Sequence, residues 1–263
     1  MPSIDWAWVD VAVPHPSQTC PGIRMAGFHQ RADTLVDITM VAHPAVTVII
    51  DLTGGGGFRL DHAGRRQTGS AVIGLAPRDL RASGGVGECL QIRLDPAVAA
   101  IGDLGGGTIR LEDLWGRNAD RAEDRLRSAA TWTERFTIAA AMIGPGRVLD
   151  PEVAHVWRTA RKTRGRLRVE ALADEVGWSR KRLWSRFRSQ LGMSPKQAVR
   201  LIRFDHAAHL LAAGRPPATV AVASGYTDQS HLHRDVRDFT GQTPARIAAA
   251  PWLAIDPVAW PSR

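Results

Sequence analysis

The stretch Val169-Glu-Ala-Leu-Ala-Asp-Glu-Val-Gly-Trp-Ser-Arg-Lys-Arg-Leu-Trp-Ser-Arg-Phe-Arg188, followed by Gly192-Met-Ser-Pro195, returns in altered form further along the chain. The second copy reads Thr219-Val-Ala-Val-Ala-Ser-Gly-Tyr-Thr-Asp-Gln-Ser-His-Leu-His-Arg-Asp-Val-Arg237, followed by Gly241-Gln-Thr-Pro244. A shift of 48 superposes Ala173 on Ala221, Gly177 on Gly225 and Trp178 on Tyr226. A shift of 49 superposes Leu183 on Leu232, Arg188 on Arg237, Gly192 on Gly241 and Pro195 on Pro244. The difference is one extra residue near the start of the second helix. Each copy has the pattern of two short helices meeting at a steep turn, a helix-turn-helix.

Gly177 and Gly225 fall at that turn, where a residue must tolerate positive φ. Ala173 and Ala221 precede them by four positions, where a small side chain lets the second helix cross closely. Leu172, Val176, Leu183 and Phe187 keep helical spacing and form the seam between the pair. Ser194-Pro195-Lys196-Gln197 reads as a capping box with proline at the first helical position, and Thr243-Pro244 starts a helix in the same way. One such match is weak; two with matching punctuation are strong.

The 263 residues are 44% hydrophobic and 23% charged, which excludes a mostly disordered chain. Cys20 and Cys89 form no C-x-x-C and support neither a zinc module nor a disulfide framework. The start, Met1-Pro-Ser-Ile-Asp5, lacks a leader pattern and no apolar stretch approaches membrane-spanning length, so a cytoplasmic protein is expected. The net charge of +8 is unevenly divided. Residues 1–150 carry 15 Lys and Arg against 17 Asp and Glu, whereas residues 151–263 carry 19 against 9. All the positive excess lies with the repeated motif, as a phosphate-binding surface requires. Within it, residues 158–188 hold eleven basic and three acidic side chains, and residues 215–246 hold four and three. The first unit is therefore expected to supply most of the affinity, with Asp235 and Asp238 weakening phosphate attraction at the second.

Gly144-Pro-Gly146 reads as a boundary between an N-terminal unit over 1–146 and a helical unit over 150–250, with a tail over 251–263. Asp150-Pro151-Glu152 is expected to cap a helix running to about Lys162. Helices follow at about 169–176, 180–190 and 195–213, then 217–224 and 228–239, with a closing segment Pro244–Ala250.

Two such units joined by a long helix, with Gly225-Tyr-Thr-Asp-Gln-Ser-His-Leu-His-Arg234 and the ending Phe239-Thr-Gly-Gln-Thr-Pro244, resemble the AraC/XylS transcriptional regulators over about residues 155–250. The resemblance implies a transcription factor that places two recognition helices in successive major grooves of double-stranded DNA. Those grooves recur about every 34–36 Å, roughly the span of a twenty-residue bridging helix. Carried over by position, the DNA-binding residues are Arg180, Lys181, Arg182, Trp184, Ser185 and Arg188 in the first unit. In the second they are Gln229, Ser230, His231 and Arg234, with Leu232 and Val236 buried and Asp228 capping. Arg and Lys suit guanine, and Gln suits adenine. Trp184 is left between a thymine or sugar contact and packing on the bridging helix. RNA polymerase, a small-molecule effector and a second copy of the chain stay open as partners.

In the N-terminal half, Val46–Leu52, Gly57–Leu60, Ser70–Leu75 and Glu88–Leu94 read as strands, followed by helix from Asp95 to Ile101 and from about Ala119 to Ile143. A small β-barrel followed by helices fits, giving an α+β chain of two domains. The resemblance makes a cupin-like effector-sensing or dimerisation domain the expectation there. Gly54-Gly-Gly-Gly57 lacks the Lys-Ser/Thr of a phosphate loop and reads as a hairpin turn. His29, His43, His62, Asp37 and Asp51 match no ligand spacing, while Trp115 and Trp132 read as core. No catalytic residue, metal or cofactor is expected. The alternative is a metal-dependent cupin-type enzyme fused to a DNA-binding domain.

Overall fold

Strand β4 (Val46–Asp51) is buried along its whole length. Successive side chains of a strand point to opposite faces, so both faces of β4 must be covered. Val48 and Ile50 join the large core that faces the helices, whereas Ile49 packs with Leu60, Ala71, Ile73 and Leu80 on the other side. The computed structural model describes residues 9–31, 36–54, 58–75, 80–84, 87–97, 107–143 and 148–260.

Around β4 lies a six-stranded sheet in the order β1-β2-β9-β4-β7-β10, formed by β1 (Val9–Ala12), β2 (Ile23–Gln30), β7 (Ala71–Ile73), β9 (Glu88–Leu94) and β10 (Thr108–Arg110). A four-stranded sheet covers part of it in the order β3-β8-β5-β6, from β3 (Val36–Thr39), β5 (Phe58–His62), β6 (Arg65–Thr68) and β8 (Arg81–Gly84). All the pairings are antiparallel. The expected barrel is thus a pair of sheets, with no closed barrel among the described residues. The strongly apolar strands lie where expected, and β9 has the anticipated limits. β6, with the sequence Arg-Arg-Gln-Thr, has no apolar pattern and is held by its backbone ladder to β5.

The single helical stretch expected over 119–143 is two helices, α2 (Asn118–Ser128) and α3 (Trp132–Met142), preceded by a short α1 (Leu111–Trp115). The break follows from Thr131, whose hydroxyl caps Glu134 N while Glu134 returns a carboxylate to Thr131 N. Trp132 lies on Gly27 of β2, where a Cβ would overlap its ring at 2.2 Å. Asp95–Ala97 form a turn rather than the start of a helix, with Asp95 accepting from Ala97 N at 2.9 Å. The remainder of that expected helix, Gly55–Gly57 and the boundary Gly144-Pro-Gly146 lie outside the described residues.

The helical half follows the sequence closely: α4 (Pro151–Lys162), α5 (Val169–Glu175), α6 (Arg180–Leu191), α7 (Pro195–Ala212), α8 (Pro217–Ala223), α9 (Gln229–Thr240) and α10 (Pro244–Ala248). The internal repeat extends to single hydrogen bonds. Trp178 N donates to Ala173 O at 3.0 Å and Tyr226 N to Ala221 O at 2.9 Å, across Gly177 at φ 64° and Gly225 at φ 77°. Gly192 and Gly241 end the two recognition helices in the left-handed region. Asp150 does not cap α4 with its side chain; its carboxylate takes the Arg186 guanidinium of α6 instead.

The segment after residue 250 is a further helix, α11 (Pro251–Ala259), which returns to the N-terminal sheet. Ala259 and Trp260 pack there with Ala26, Val11 and Phe28. Trp157 of α4 is fully buried and donates its indole N–H to Asp95 at 2.8 Å. One apolar core therefore runs through both halves.

The turn after α4 lies hard against the backbone of α7. Gly165 has φ 67°, and a Cβ there would lie 2.3 Å from Val199 O of α7. Gly177 shares the positive φ but faces open space. Gly165→Ala is expected to cost on the order of 2–3 kcal/mol, and Gly177→Ala about 1 kcal/mol. Chemical denaturation of the two variants checks this order.

Candidate nucleic-acid interface and interior cavity

Helix α6 begins at Ser179, whose hydroxyl accepts from Arg182 N at 3.2 Å. Its Leu183 and Phe187 point into the core, so Arg180, Lys181, Arg182, Trp184, Ser185 and Arg188 are all left exposed. This is the consequence of an apolar stripe only two residues wide. Lys181 and Ser185 have no hydrogen bond or ion pair among the described residues, whereas Arg180 reaches Glu170 at 3.4 Å. Arg182 stacks on Trp178 with 4.4 Å to the ring centroid. Trp184 is 49% exposed, and Arg188 lies over its ring at 5.4 Å. A flat indole and a guanidinium presented together suit base edges and phosphates.

Helix α9 begins at Asp228, which accepts from His231 N at 2.7 Å, the expected cap. Gln229, Ser230 and Arg234 are exposed, and Leu232 and Val236 are fully buried. His231 is half-buried, its ring edge-on to Tyr226 at 5.1 Å, while His233, not singled out for this face in the sequence, is exposed beside Gln229. Asp235 and Asp238 need a different account from the one expected. Asp235 is buried and takes Arg200 at 2.6 Å and Arg203 at 3.5 Å, and Asp238 takes Arg200 at 2.6 Å. Both carboxylates are neutralised by α7, so they do little to repel phosphate. Burial works against the charge of Arg200, but its two aspartates outweigh that and raise its pKa.

Residues 172–250 match the family described as "Helix-turn-helix domain". The C-terminal unit is an AraC-type helix-turn-helix domain. A curated relative, "Uncharacterized HTH-type transcriptional regulator YbfI" of Bacillus subtilis (strain 168), is 36% identical over 61 residues, which are 23% of this chain and 22% of the relative's length. ToxT from Vibrio cholerae O395, solved bound to (E)-4-(8-methylnaphthalen-1-yl)but-3-enoic acid, aligns with TM-score 0.51 at 8% identity over 88% of this chain and 99% of that one. A second ToxT structure from Vibrio cholerae aligns with TM-score 0.50 at 8% identity, covering 87% and 98%. At such identity these likenesses speak to the fold alone: a sheet-rich half followed by a helical half.

Between the two sheets and the end of α11 lies a cavity of about 180 Å³. Phe28, Met40, Ile49, Phe58 and Trp260 give it an apolar wall, and Arg93 and Asp256 stand at one side. Cys89 also lines it, and burial pushes its thiol up to about 12, so it is present as neutral S–H. The sequence did not reveal this cavity, because Phe28, Met40 and Trp260 lie on segments with no shared periodicity. The histidines and aspartates weighed as metal ligands are dispersed. His43 is bonded to Thr47, Asp37 to Arg81 and Asp51 to Thr53. Among the described residues no three His, Cys, Asp or Glu side chains gather as a metal site, so the enzyme alternative gains no support. Among them, too, no helix is long and apolar enough to cross a membrane.

The AraC-type domain is tied to the sheet by a partly buried polar chain. Arg93 donates to Asp256 at 2.9 Å, and His209 of α7 donates through Nε2 to Asp256 at 3.0 Å and through Nδ1 to Asp205 O at 2.7 Å. A histidine that donates from both nitrogens is an imidazolium. Burial opposes its charge, but Asp256 and Asp205 prevail and hold its pKa at about 9. Burial likewise penalises the Asp256 carboxylate, and His209 and Arg93 overcome that to hold it well below the usual carboxylate range. Burial, with a smaller push from Asp256, raises Asp205 against the pull of His209, Arg161 and Arg93, and burial with Arg93 nearby keeps His43 neutral.

For His209, raised from 6.5 to about 9, the linked stability is complete below pH 6.5 and is lost as pH rises through 9. Thermal unfolding followed from pH 6 to pH 10 is expected to show a falling midpoint across that window. His209→Gln is expected to flatten the fall.

Proposed function

We propose that the chain is a sequence-specific DNA-binding transcriptional regulator controlled through its N-terminal half. The observation that carries this reading is the pair of recognition helices, each with an exposed polar face, packed on the single helix α7. α6 and α9 enter successive major grooves, and the exposed arginines around α6 neutralise phosphates. Arg180, Lys181, Arg182, Trp184, Ser185 and Arg188 read or grip one half-site. Gln229, Ser230, His231 and Arg234 act at the other, where His231 contributes less than its exposed neighbours. The domain division at 1–146, 150–250 and 251–263 belongs to the same reading, with α11 serving as a strap rather than a free tail.

The paired sheets act as a cupin-like effector domain. The apolar cavity takes a small ligand with a hydrophobic body and one polar group, the class of molecule held by the ToxT structure of similar fold. Ligand and DNA are coupled because Arg93, Asp256 and Trp260 line the cavity and Asp256, held by Arg93, also bonds His209 of α7. A ligand that favours one arrangement of that contact shifts the population competent for DNA.

Selection of bound sites from random DNA by the full chain is expected to return two short motifs about one helical turn apart. A footprint confined to one groove segment would sink the reading. Lys181→Ala is expected to cost about 1–3 kcal/mol of binding if Lys181 reads a base, and Gln229→Ala less. Affinity measured by fluorescence anisotropy at fixed salt tests the ranking.

A further inference from the structure

Arg93, Asp256 and Trp260 form a partition with a second cavity on its far side, of about 430 Å³, between the sheet and the AraC-type domain. Where the first cavity is apolar, this one is lined by charge. Arg24 of β2 and Arg93 of β9 face Arg161 of α4 and Arg164 of the following turn, with His206 and His209 of α7 beside them. Four guanidiniums and the His209 imidazolium meet two carboxylates, Asp205 and Asp256.

The carboxylates do not balance this charge. Asp256 is already shared by Arg93 and His209. The Arg24 guanidinium has no hydrogen bond or ion pair among the described residues. Arg161 donates only to the Pro44 carbonyl at 3.1 Å, and Arg164 only to His206 at 3.4 Å. The Nε of Arg93 is buried without an acceptor. Like charges gathered in a partly desolvated cleft repel, and guanidinium forks match the oxygens of phosphate and carboxylate. Desolvation, then the charges of Arg93 and Arg161, hold Arg24 below its ordinary pKa, against the opposing pull of Asp205 and Asp256.

We infer that this cleft binds a compact, multiply charged oxyanion, of phosphate or polycarboxylate type, between Arg24 and Arg93 on one side and Arg161 and Arg164 on the other. The site opens on the far side of the partition from the apolar cavity, towards α4 and α7, and shares Arg93, Asp256 and Trp260 with it. Its bound anion bridges the sheet to α4, and so stabilises the joined arrangement of the two halves. His206 lies at the same wall, where burial and then Arg164 keep its ring neutral and able to accept or donate a single hydrogen bond.

The test is calorimetric titration of the full chain at low salt, with inorganic pyrophosphate and with citrate. Saturable binding of either at one site per chain is expected, and whichever binds tighter identifies the ligand type. Arg24→Gln and Arg164→Gln, neither of which removes an ion pair, should each weaken binding about tenfold or more. Arg59→Gln, on the exposed side of β5, and Lys181→Gln on α6 should leave it unchanged. Unfolding midpoints should rise with anion in the native chain but not in Arg24→Gln, which separates lost binding from lost folding. The inference is overturned if neither anion saturates. It is equally overturned if Arg24→Gln and Arg164→Gln bind like the native chain, or if the loss follows Lys181→Gln instead, which would mean that the anion is titrating the DNA-facing helix.

Discussion

Helix α7 has to serve as a core element for two helix-turn-helix units at once. Leu201, Ile202, Phe204, Ala207, Ala208 and Leu211 are buried along it, so apolar side chains occupy much more than the single stripe of a surface helix. Its start is secured by the Ser194–Gln197 capping box. Each unit carries its own turn, but neither determines where it stands relative to the other. That separation is set by the packing of α6 and α9 on this rod. The Arg200–Asp235–Arg203 cluster adds specificity to the packing of α9. Buried ion pairs contribute little net stability, and their geometric demands penalise any other seating of the helix.

The same helix looks toward the sheet through Asp205 and His209. In consequence α7, the C-terminal strap and the interior cavities share side chains and not merely a linker. Arg93 is central to this arrangement: it carries Trp260 on its face at 4.1 Å, holds Asp256, and lines both cavities. A molecule that competes for Arg93 changes what holds Asp256, and Asp256 in turn holds His209 on α7. Here the coupling passes through named hydrogen bonds, whose removal can be measured one at a time.

The helical half was legible in the amino-acid sequence almost residue by residue. Its determinants are local: Gly177 and Gly225 at positive φ, caps at Ser179, Ser194, Asp228 and Thr243, and buried residues at helical spacing. The sheet was legible only where strands are strongly apolar, as in β4 and β9. β2 carries Arg24, Gly27 and His29 among its apolar residues because its two faces meet different surroundings, and β6 forms through backbone pairing alone. Local pattern is blind to both.

By itself, then, the sequence determined the two reading units, their turns and caps, and which side chains of α6 stand outward, because each depends on residues within one or two helical turns. Tertiary structure alone decided that Asp235 and Asp238 are neutralised, that α11 closes on the sheet, and that an apolar and a cationic cavity lie on either side of Arg93. Those features join positions as far apart as Arg93 and Asp256, and no periodicity encodes a contact that exists only once the chain has folded back on itself.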